Sequence, residues 1–346
     1  MSVPLGVSVV GLGGRCAVGR YADAIATAVR AGITRLQEHE YMVDNAGDPF
    51  RVAYDPALTT PTRRARVGEL AESALNSVLA DLETRRYDRA VPLLLCLPSP
   101  CDTWTQADRM WLMAALVKTA EARQLELRPQ LVSASGNAAG AVGLQLACEQ
   151  VRKGECCILL GADSFIDPDV LEPLDEAAEL MSLTNKWGFP PGEGAAALLL
   201  VETRRARSMS LRPIAEIHGL GVTRESNPKH SDGICTGVGL SQAFAAAVRG
   251  LGGPVDWQYC DIDGDRYREH EFSFALQRAH ASMFADATGY VSAADCWGAV
   301  GAATIPLLSL LAITPSLRTP AGTALVWAGS EDGLRGSIVY RCGAGR

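Results

Sequence analysis

The chain has 346 residues, of which 48% are apolar and 21% are charged. This composition allows a large buried core and excludes a mainly disordered chain. A net charge of −7 and an isoelectric point near 5.4 argue against a general nucleic-acid binder and against a protein that binds anionic membranes.

Short apolar runs alternate with helical patterns along the chain. The first part predicts strands at 7–13, 93–97, 131–135, 156–160 and 195–202, and helices at 22–31, 67–82, 109–123 and 138–153. The pattern then restarts, with strands at 214–220, 259–262, 324–327 and 337–341 and helices at 241–250, 269–281 and 299–313. This alternation predicts a mostly parallel α/β sheet.

Two segments rich in alanine and glycine, Ala138–Cys148 and Ala299–Leu311, are apolar on every side. A helix of this kind is buried all round, which predicts a place between two sheets. The same order of elements occurs before and after about residue 206. We therefore predict a five-layered αβαβα sandwich with two pseudo-symmetric halves, 1–205 and 206–346, in one compact unit.

The glycines after the first apolar run resemble a dinucleotide-binding turn. The third glycine of that motif falls at Cys16, and no strand about 20 residues later ends in an acidic residue. The segment Val7–Gly13 therefore predicts a plain strand and glycine turn, and we expect no cofactor.

The ten cysteines contain no C-x-x-C pair and no Cys/His cluster, so no zinc site is predicted. The N-terminus lacks the basic region of a signal peptide, and no run reaches the ~18–20 apolar residues of a membrane span. We expect a cytoplasmic protein with no membrane partner.

The most specific motif reads Gly-Phe-Pro-Pro-Gly-Glu-Gly-Ala-Ala-Ala-Leu-Leu-Leu-Val-Glu over residues 188–202. Together with Val9–Gly13, Leu146–Cys156 and Leu159–Phe165, it resembles the β-ketoacyl-acyl-carrier-protein synthases, the condensing enzymes of the thiolase fold. The resemblance continues, more weakly, through Asp261–Leu276 and Tyr290–Leu311. It implies a thiolase-like fold over nearly the whole chain.

The resemblance also implies where catalytic residues would stand. Those enzymes use a cysteine at a helix N-terminus as nucleophile and two histidines that stabilise the enolate. The matching positions here hold Asn137, Asp263 and Asp295. An amide is no nucleophile, and two carboxylates oppose a developing negative charge. None of the histidines falls on a catalytic position; they are His39, His218, His230, His270 and His280. We therefore predict that the triad is degenerate and that the chain does not condense.

Three functions stay open at this point. The first is a non-condensing scaffold that serves as an accessory or partner protein. The second is an acyltransferase or hydrolase of acyl thioesters with a relocated nucleophile, either Ser135 or Cys296. The third is a metal or acid–base site built from Asp263, Asp265 and Asp295, for which a polar turn with helix-capping acids is the alternative.

The resemblance implies protein partners as well. We expect a homodimer, or a heterodimer with a related subunit, formed near the predicted strand 131–135. An acyl carrier protein or another accessory protein is a further partner. The basic segment Thr203–Arg212 would suit an acidic carrier, although it also fits a solvated connector between the halves.

Overall fold

The computed structural model describes residues 5–84, 89–154, 156–182, 185–208, 211–314 and 321–343. Within these ranges the strands are β1 (Val7–Cys16), β2 (Leu36–Val43), β3 (Pro49–Ala53), β4 (Val91–Cys96), β5 (Leu127–Leu131), β6 (Cys157–Ser164), β7 (Glu193–Glu202), β8 (Ala215–Arg224), β9 (Trp257–Cys260), β10 (Val291–Ser292), β11 (Gly322–Gly329) and β12 (Leu334–Cys342). The α-helices are α1 (Ala22–Arg30), α2 (Arg63–Thr84), α3 (Gln106–Glu121), α4 (Ala139–Arg152), α5 (Pro168–Glu176), α6 (Thr203–Ser208), α7 (Val238–Ala247), α8 (Arg266–Arg278), α9 (Ala294–Trp297) and α10 (Thr304–Ile313).

The strand order repeats in the two halves. One continuous sheet runs β10-β9-β11-β12-β8-β1-β7-β6-β4-β5. From the centre outward, the first half runs β1, β7, β6, β4, β5 and the second half runs β8, β12, β11, β9, β10, while β2 and β3 form a separate two-stranded sheet. In each half the first two pairings of the large sheet are antiparallel and the next two are parallel. The halves meet where β1 pairs with β8 at its first residues. The predicted pseudo-symmetry is therefore confirmed.

Helices form three layers around these strands. The α4 helix lies between the halves and contacts β4 and β6 on one side and β8 and β12 on the other. Every residue of α10, which packs beside it, is buried. Helices α2 and α3 cover the outer face of the first half, and α7 and α8 cover that of the second. The αβαβα sandwich predicted from the two small-residue helices is thus the observed architecture.

The predicted glycine turn at the start of the chain is wrong. The β1 strand continues through the glycines to Cys16 and pairs with β7 along its length. The glycines are needed for close packing instead. A Cβ at Gly13 would lie 2.0 Å from the carbonyl oxygen of Ala74 in α2, and a Cβ at Gly14 would lie 2.6 Å from Leu310. Helices therefore approach β1 from both faces.

The strand predicted at 131–135 is also misplaced. The observed β5 is Leu127–Leu131, which pairs with Val91–Leu95 of β4. Only Val132 extends this pairing, through a hydrogen bond from its N–H to the carbonyl of Leu95. Arg128 and Gln130 alternate with apolar neighbours because β5 is an edge strand with an exposed side. That alternation hid the strand from a search for continuous apolar runs.

The boundary predicted between residues 205 and 206 falls inside α6. In the basic segment Thr203–Arg212, residues 209 and 210 and the Arg207 side chain lie outside the described residues. The Arg205 guanidinium donates to the carbonyl of Gly154. Among the helices that the structure describes, none is both long enough and apolar enough to cross a membrane.

Candidate functional site

A cavity of about 610 Å³ opens at the carboxyl ends of strands from both halves. Loops after β4, β5, β9 and β11 and the end of β6 supply its walls, as expected for ligand sites in parallel sheets. One wall is apolar and comes from Phe165, Val170, Leu174 and Phe189. The opposite wall is polar and holds Ser135, Asn137, Asp163, Asp263, Arg268 and Ser330.

Asn137 lies at the turn that precedes α4. Gly136 adopts a φ of 71°, in the left-handed region that favours glycine, and a Cβ there would lie 2.9 Å from Oγ of Ser330. The Ser330 hydroxyl accepts from the N–H of Ala138 and donates to the carbonyl of Ser135, each at 2.9 Å. A side chain from the second half therefore fixes the turn that presents Asn137 to the cavity.

The Asn137 side chain belongs to a buried charged network. Its Nδ2 donates to Oδ2 of Asp261 at 3.0 Å. The same carboxylate oxygen accepts from Arg268 at 2.7 Å and from the N–H of Gly329 at 3.0 Å. Nε of Arg268 also lies 3.3 Å from Oδ2 of Asp263. The guanidinium of Arg268 thus balances two buried carboxylates, one of which accepts from Asn137.

Burial raises the pKa of Asp263 to about 6, with the charge of Arg268 opposing that shift and Asp261 and Asp265 adding to it. The structure places Asp295 on α9 with an exposed side chain that does not line the cavity. The charged neighbours of Asp263 are therefore Asp261, Asp265 and Arg268.

A second buried ion pair, between Asp163 and Arg63, also lines the cavity. Asp163, near the end of β6, accepts from Arg63 at 3.0 Å and from the N–H of Ala302 at 3.0 Å. A Cβ at Gly301 would lie 2.1 Å from Oδ2 of Asp163, so only glycine lets the chain pass here. Asp163 therefore ties α2 to the turn that leads into α10.

The two suggested nucleophiles are placed very differently. Ser135 lines the cavity. Cys296 is 6% exposed, is not part of the cavity wall, and has a thiol pKa raised by burial and by Asp295. All five histidines are in described segments, and none of them lines the cavity. Ser135 consequently has no histidine base beside it on this wall.

The carboxylates suggested as a metal site have other partners. Asp265 contacts Lys229 at 2.5 Å, and Asp263 faces Arg268. In the described part of the chain, the group of potential ligands that does come together is Glu225, Cys235 and Glu271. There, Glu271 accepts from Arg335 at 2.6 Å and Glu225 accepts from the N–H of Gly239 at 2.8 Å. Ion pairing and helix capping thus account for those two carboxylates.

Sequence reasoning missed three side chains of the site: Arg63, Arg268 and Cys101. Each lines the cavity, and each is brought there from a separate element or loop. The acidic run around Asp261 signals that a buried cation is needed nearby, and Arg268 follows within the same segment. Nothing in the sequence around Arg63 or Cys101 indicates their position.

Known structures resemble the chain in fold. No protein-family model and no curated protein matches the sequence. A structure of a type II polyketide synthase acyl-carrier protein in complex with its ketosynthase (AntDE:AntF) matches with a TM-score of 0.80 at 16% identity, over 98% of this chain and 100% of that one. A β-ketoacyl synthase from Burkholderia phymatum STM815 gives a TM-score of 0.73 at 18% identity, over 97% and 99% of the two chains.

The ishigamide ketosynthase/chain length factor gives a TM-score of 0.72 at 17% identity, over 97% of this chain and 99% of that one. Sequence identities this low show similarity of fold alone. The chain has the thiolase-like fold of the ketosynthases.

Proposed function

We propose that this chain is a ketosynthase-like protein that does not form carbon–carbon bonds and acts as an accessory or partner subunit. One observation carries the proposal. The position that matches the family nucleophile is held by the amide of Asn137, which is hydrogen-bonded to Asp261. A side-chain amide cannot take up an acyl group, and Asp261 keeps it in place.

The charges around Asn137 support the same conclusion. Condensation needs hydrogen-bond donors where negative charge develops. Here the Arg268 guanidinium is already ion-paired with the carboxylates of Asp261 and Asp263. An enolate formed beside them would meet two carboxylates and no histidine.

The open edge of the sheet supports a protein partner. The β5 strand is the last strand of the sheet and has β4 as its neighbour on one side. The carbonyl of Glu126 and the N–H of Val132 face β4, so the alternating residues Leu127, Pro129 and Leu131 turn their backbone groups outward, and Pro129 offers a carbonyl there but no N–H. We propose that a second copy or a related subunit pairs at this edge and the residues that follow it.

A product assay tests the enzymatic half of the proposal. The purified chain is incubated with an acyl thioester and a malonyl thioester, and β-ketoacyl products are measured by mass spectrometry beside an active ketosynthase as positive control. We expect no product above the protein-free background. A β-ketoacyl product at catalytic turnover would disprove the proposal.

Acyl transfer without condensation is the second candidate function. The cavity favours it, because four apolar side chains line the cavity together with hydroxyl and thiol groups. Ten free cysteines fit a reducing compartment such as the cytoplasm, where thiol chemistry of this kind is available.

A further inference from the structure

The mouth of the cavity is acidic. Among the described residues that line the cavity, six are acidic and two are basic. Four of the acidic residues are exposed and therefore lie at the opening; they are Asp102, Asp169, Glu331 and Asp332. They come from three separate places in the fold: the loop between β4 and α3, the first turn of α5, and the turn between β11 and β12. The assembled fold, and not one acidic run of sequence, concentrates negative charge at this opening.

The deeper carboxylates of the cavity already have cations beside them. Asp163 pairs with Arg63 at 3.0 Å, and Nε of Arg268 lies 3.3 Å from Oδ2 of Asp263. Arg268 also pairs at 2.7 Å with Asp261, which does not line the cavity. Both guanidiniums of the cavity wall are therefore paired with buried carboxylates, and neither is left to balance the carboxylates of the mouth.

The carboxylates at the mouth lack such partners. Within the described ranges, Asp102, Asp169 and Glu331 form no ion pair. Asp332 pairs with Arg224 at 3.4 Å, but the two side chains are 47% and 67% exposed, so water weakens this ion pair. The mouth therefore keeps an excess of negative charge at neutral pH.

The apolar wall gives the cavity a second property, which does not depend on the acidic mouth. The rings of Phe165 and Phe189 meet edge to face with their centroids 5.7 Å apart, and Val170 and Leu174 lie on the same wall. A volume of about 610 Å³ falls in the range of sites that enclose small organic ligands. An apolar chain that entered the cavity would gain binding free energy by leaving water.

We propose that the cavity binds an organic cation, namely an amine with an apolar chain. The chain lies against the apolar wall, and the ammonium group lies among the four carboxylates of the mouth. A cleft that combines charge of one sign with walls of low dielectric constant concentrates ions of the opposite sign. A carboxylate with the same chain would meet the same wall but the wrong charge. Binding is non-covalent, so no bond forms or breaks.

A ligand of this class goes beyond the proposed function, which concerns condensation and protein partners. The two proposals also fail separately. Absence of saturable amine binding overturns the organic-cation site and leaves the non-condensing function in place. A β-ketoacyl product overturns that function and leaves the organic-cation site in place.

Isothermal titration calorimetry of the full chain at neutral pH tests the site with decylamine, decanoate and butylamine. We expect one decylamine per chain, bound at least about tenfold more tightly than decanoate, which has the opposite charge, and than butylamine, which has a shorter chain. Raising the salt concentration should weaken decylamine binding, because salt screens the attraction. Decanoate binding as tightly as decylamine, or no saturable decylamine binding, would overturn the proposal.

Variants that neutralise the mouth separate the cavity from the net charge of the protein. Asp102→Asn and Glu331→Gln should each weaken decylamine binding about threefold, and the double variant about tenfold. The matched control combines Asp23→Asn with Glu121→Gln, which removes two exposed carboxylates that do not line the cavity. It should leave the affinity unchanged. Equal affinities of the two double variants would overturn the proposal, because net charge alone would then explain binding.

Discussion

The side-chain amide of Asn137 donates to the carboxylate of Asp261 across 124 residues of sequence at 3.0 Å. This contact joins the turn before the central helix of the first half to the end of β9 in the second. Asn137 is the residue that we predict to stand at the nucleophile position of the ketosynthases. The surrounding charges then decide what this wall of the cavity can do.

We predict that the Arg268 guanidinium stabilises the folded protein by balancing the buried carboxylates beside it. Arg268→Met leaves the buried carboxylates of Asp261 and Asp263 without a cation, which should lower the free energy of unfolding by about 3–5 kcal/mol at neutral pH. The loss should be smaller at acidic pH, where the carboxylates are neutralised by protons. Denaturant titration measures both values.

Arg224→Met is the matched control for Arg268→Met. Arg224 pairs with Asp332 at 3.4 Å, but its side chain is 67% exposed. Its loss should therefore change the unfolding free energy by less than about 1 kcal/mol. Equal effects of the two substitutions would show that the buried network does not carry the stability assigned to it.

Asp263 should make stability depend on pH in a defined direction. Its pKa is raised from 3.8 to about 6, so the folded protein holds this proton more tightly than the unfolded chain does. The stability that protonation contributes is complete below about pH 4 and is lost as the pH rises through about 6. The total is about 3 kcal/mol.

Asp263→Asn removes this titration. Between about pH 4 and pH 7, the unfolding free energy of the wild type should fall by up to about 3 kcal/mol more than that of Asp263→Asn. Denaturant curves across that range give the difference. Asp295→Asn, at an exposed position, should run parallel to the wild type. Parallel curves for Asp263→Asn as well would contradict the assignment.

A side chain at Gly136 is predicted to cost more stability than one at Gly154, another glycine with positive φ. Gly136→Ala combines a positive φ with a Cβ 2.9 Å from the Ser330 hydroxyl. Gly154→Ala has a φ of 85° but no atom within 4 Å of the new Cβ. Both should cost about 1 kcal/mol of backbone strain, and Gly136→Ala should cost a further ~1 kcal/mol from the disturbed hydrogen bonds. Thermal unfolding compares the stability of the two variants. Equal losses would mean that the contact with Ser330 contributes nothing.

Much of the fold was predictable because it depends on patterns that the sequence carries locally. The segments Ala138–Cys148 and Ala299–Leu311 are apolar on all sides, which predicted two central helices. The edge strand β5 was misplaced because its solvent-facing side interrupts the apolar run. The glycines of β1 were interpreted as a turn because their close neighbours, Ala74 and Leu310, are distant in sequence.

The candidate site was harder to predict. Counting residues from the motifs that resemble the ketosynthases selected Asn137 and Asp263, which line the cavity, but also Asp295, which faces solvent. Counting gives a position and not the direction of a side chain. Arg63 and Asp163 are 100 residues apart, and their pairing follows only from the assembled layers.

The edge strand β5 is predicted to mediate self-association or pairing with a related subunit. Leu131→Lys places a charge at the open edge and should raise the dimer dissociation constant by about tenfold or more. Ile234→Lys is the control, because Ile234 is 80% exposed in the other half. Sedimentation velocity compares them. A dimer unaffected by Leu131→Lys would exclude this edge as the interface.

The most direct test of the central claim is carbon dioxide release from a malonyl thioester by the wild type and by Asn137→Cys. We predict release at the protein-free background for both, because a thiol alone does not supply the donors that an enolate needs beside Asp261 and Asp263. Release at catalytic turnover by the wild-type chain would contradict the account.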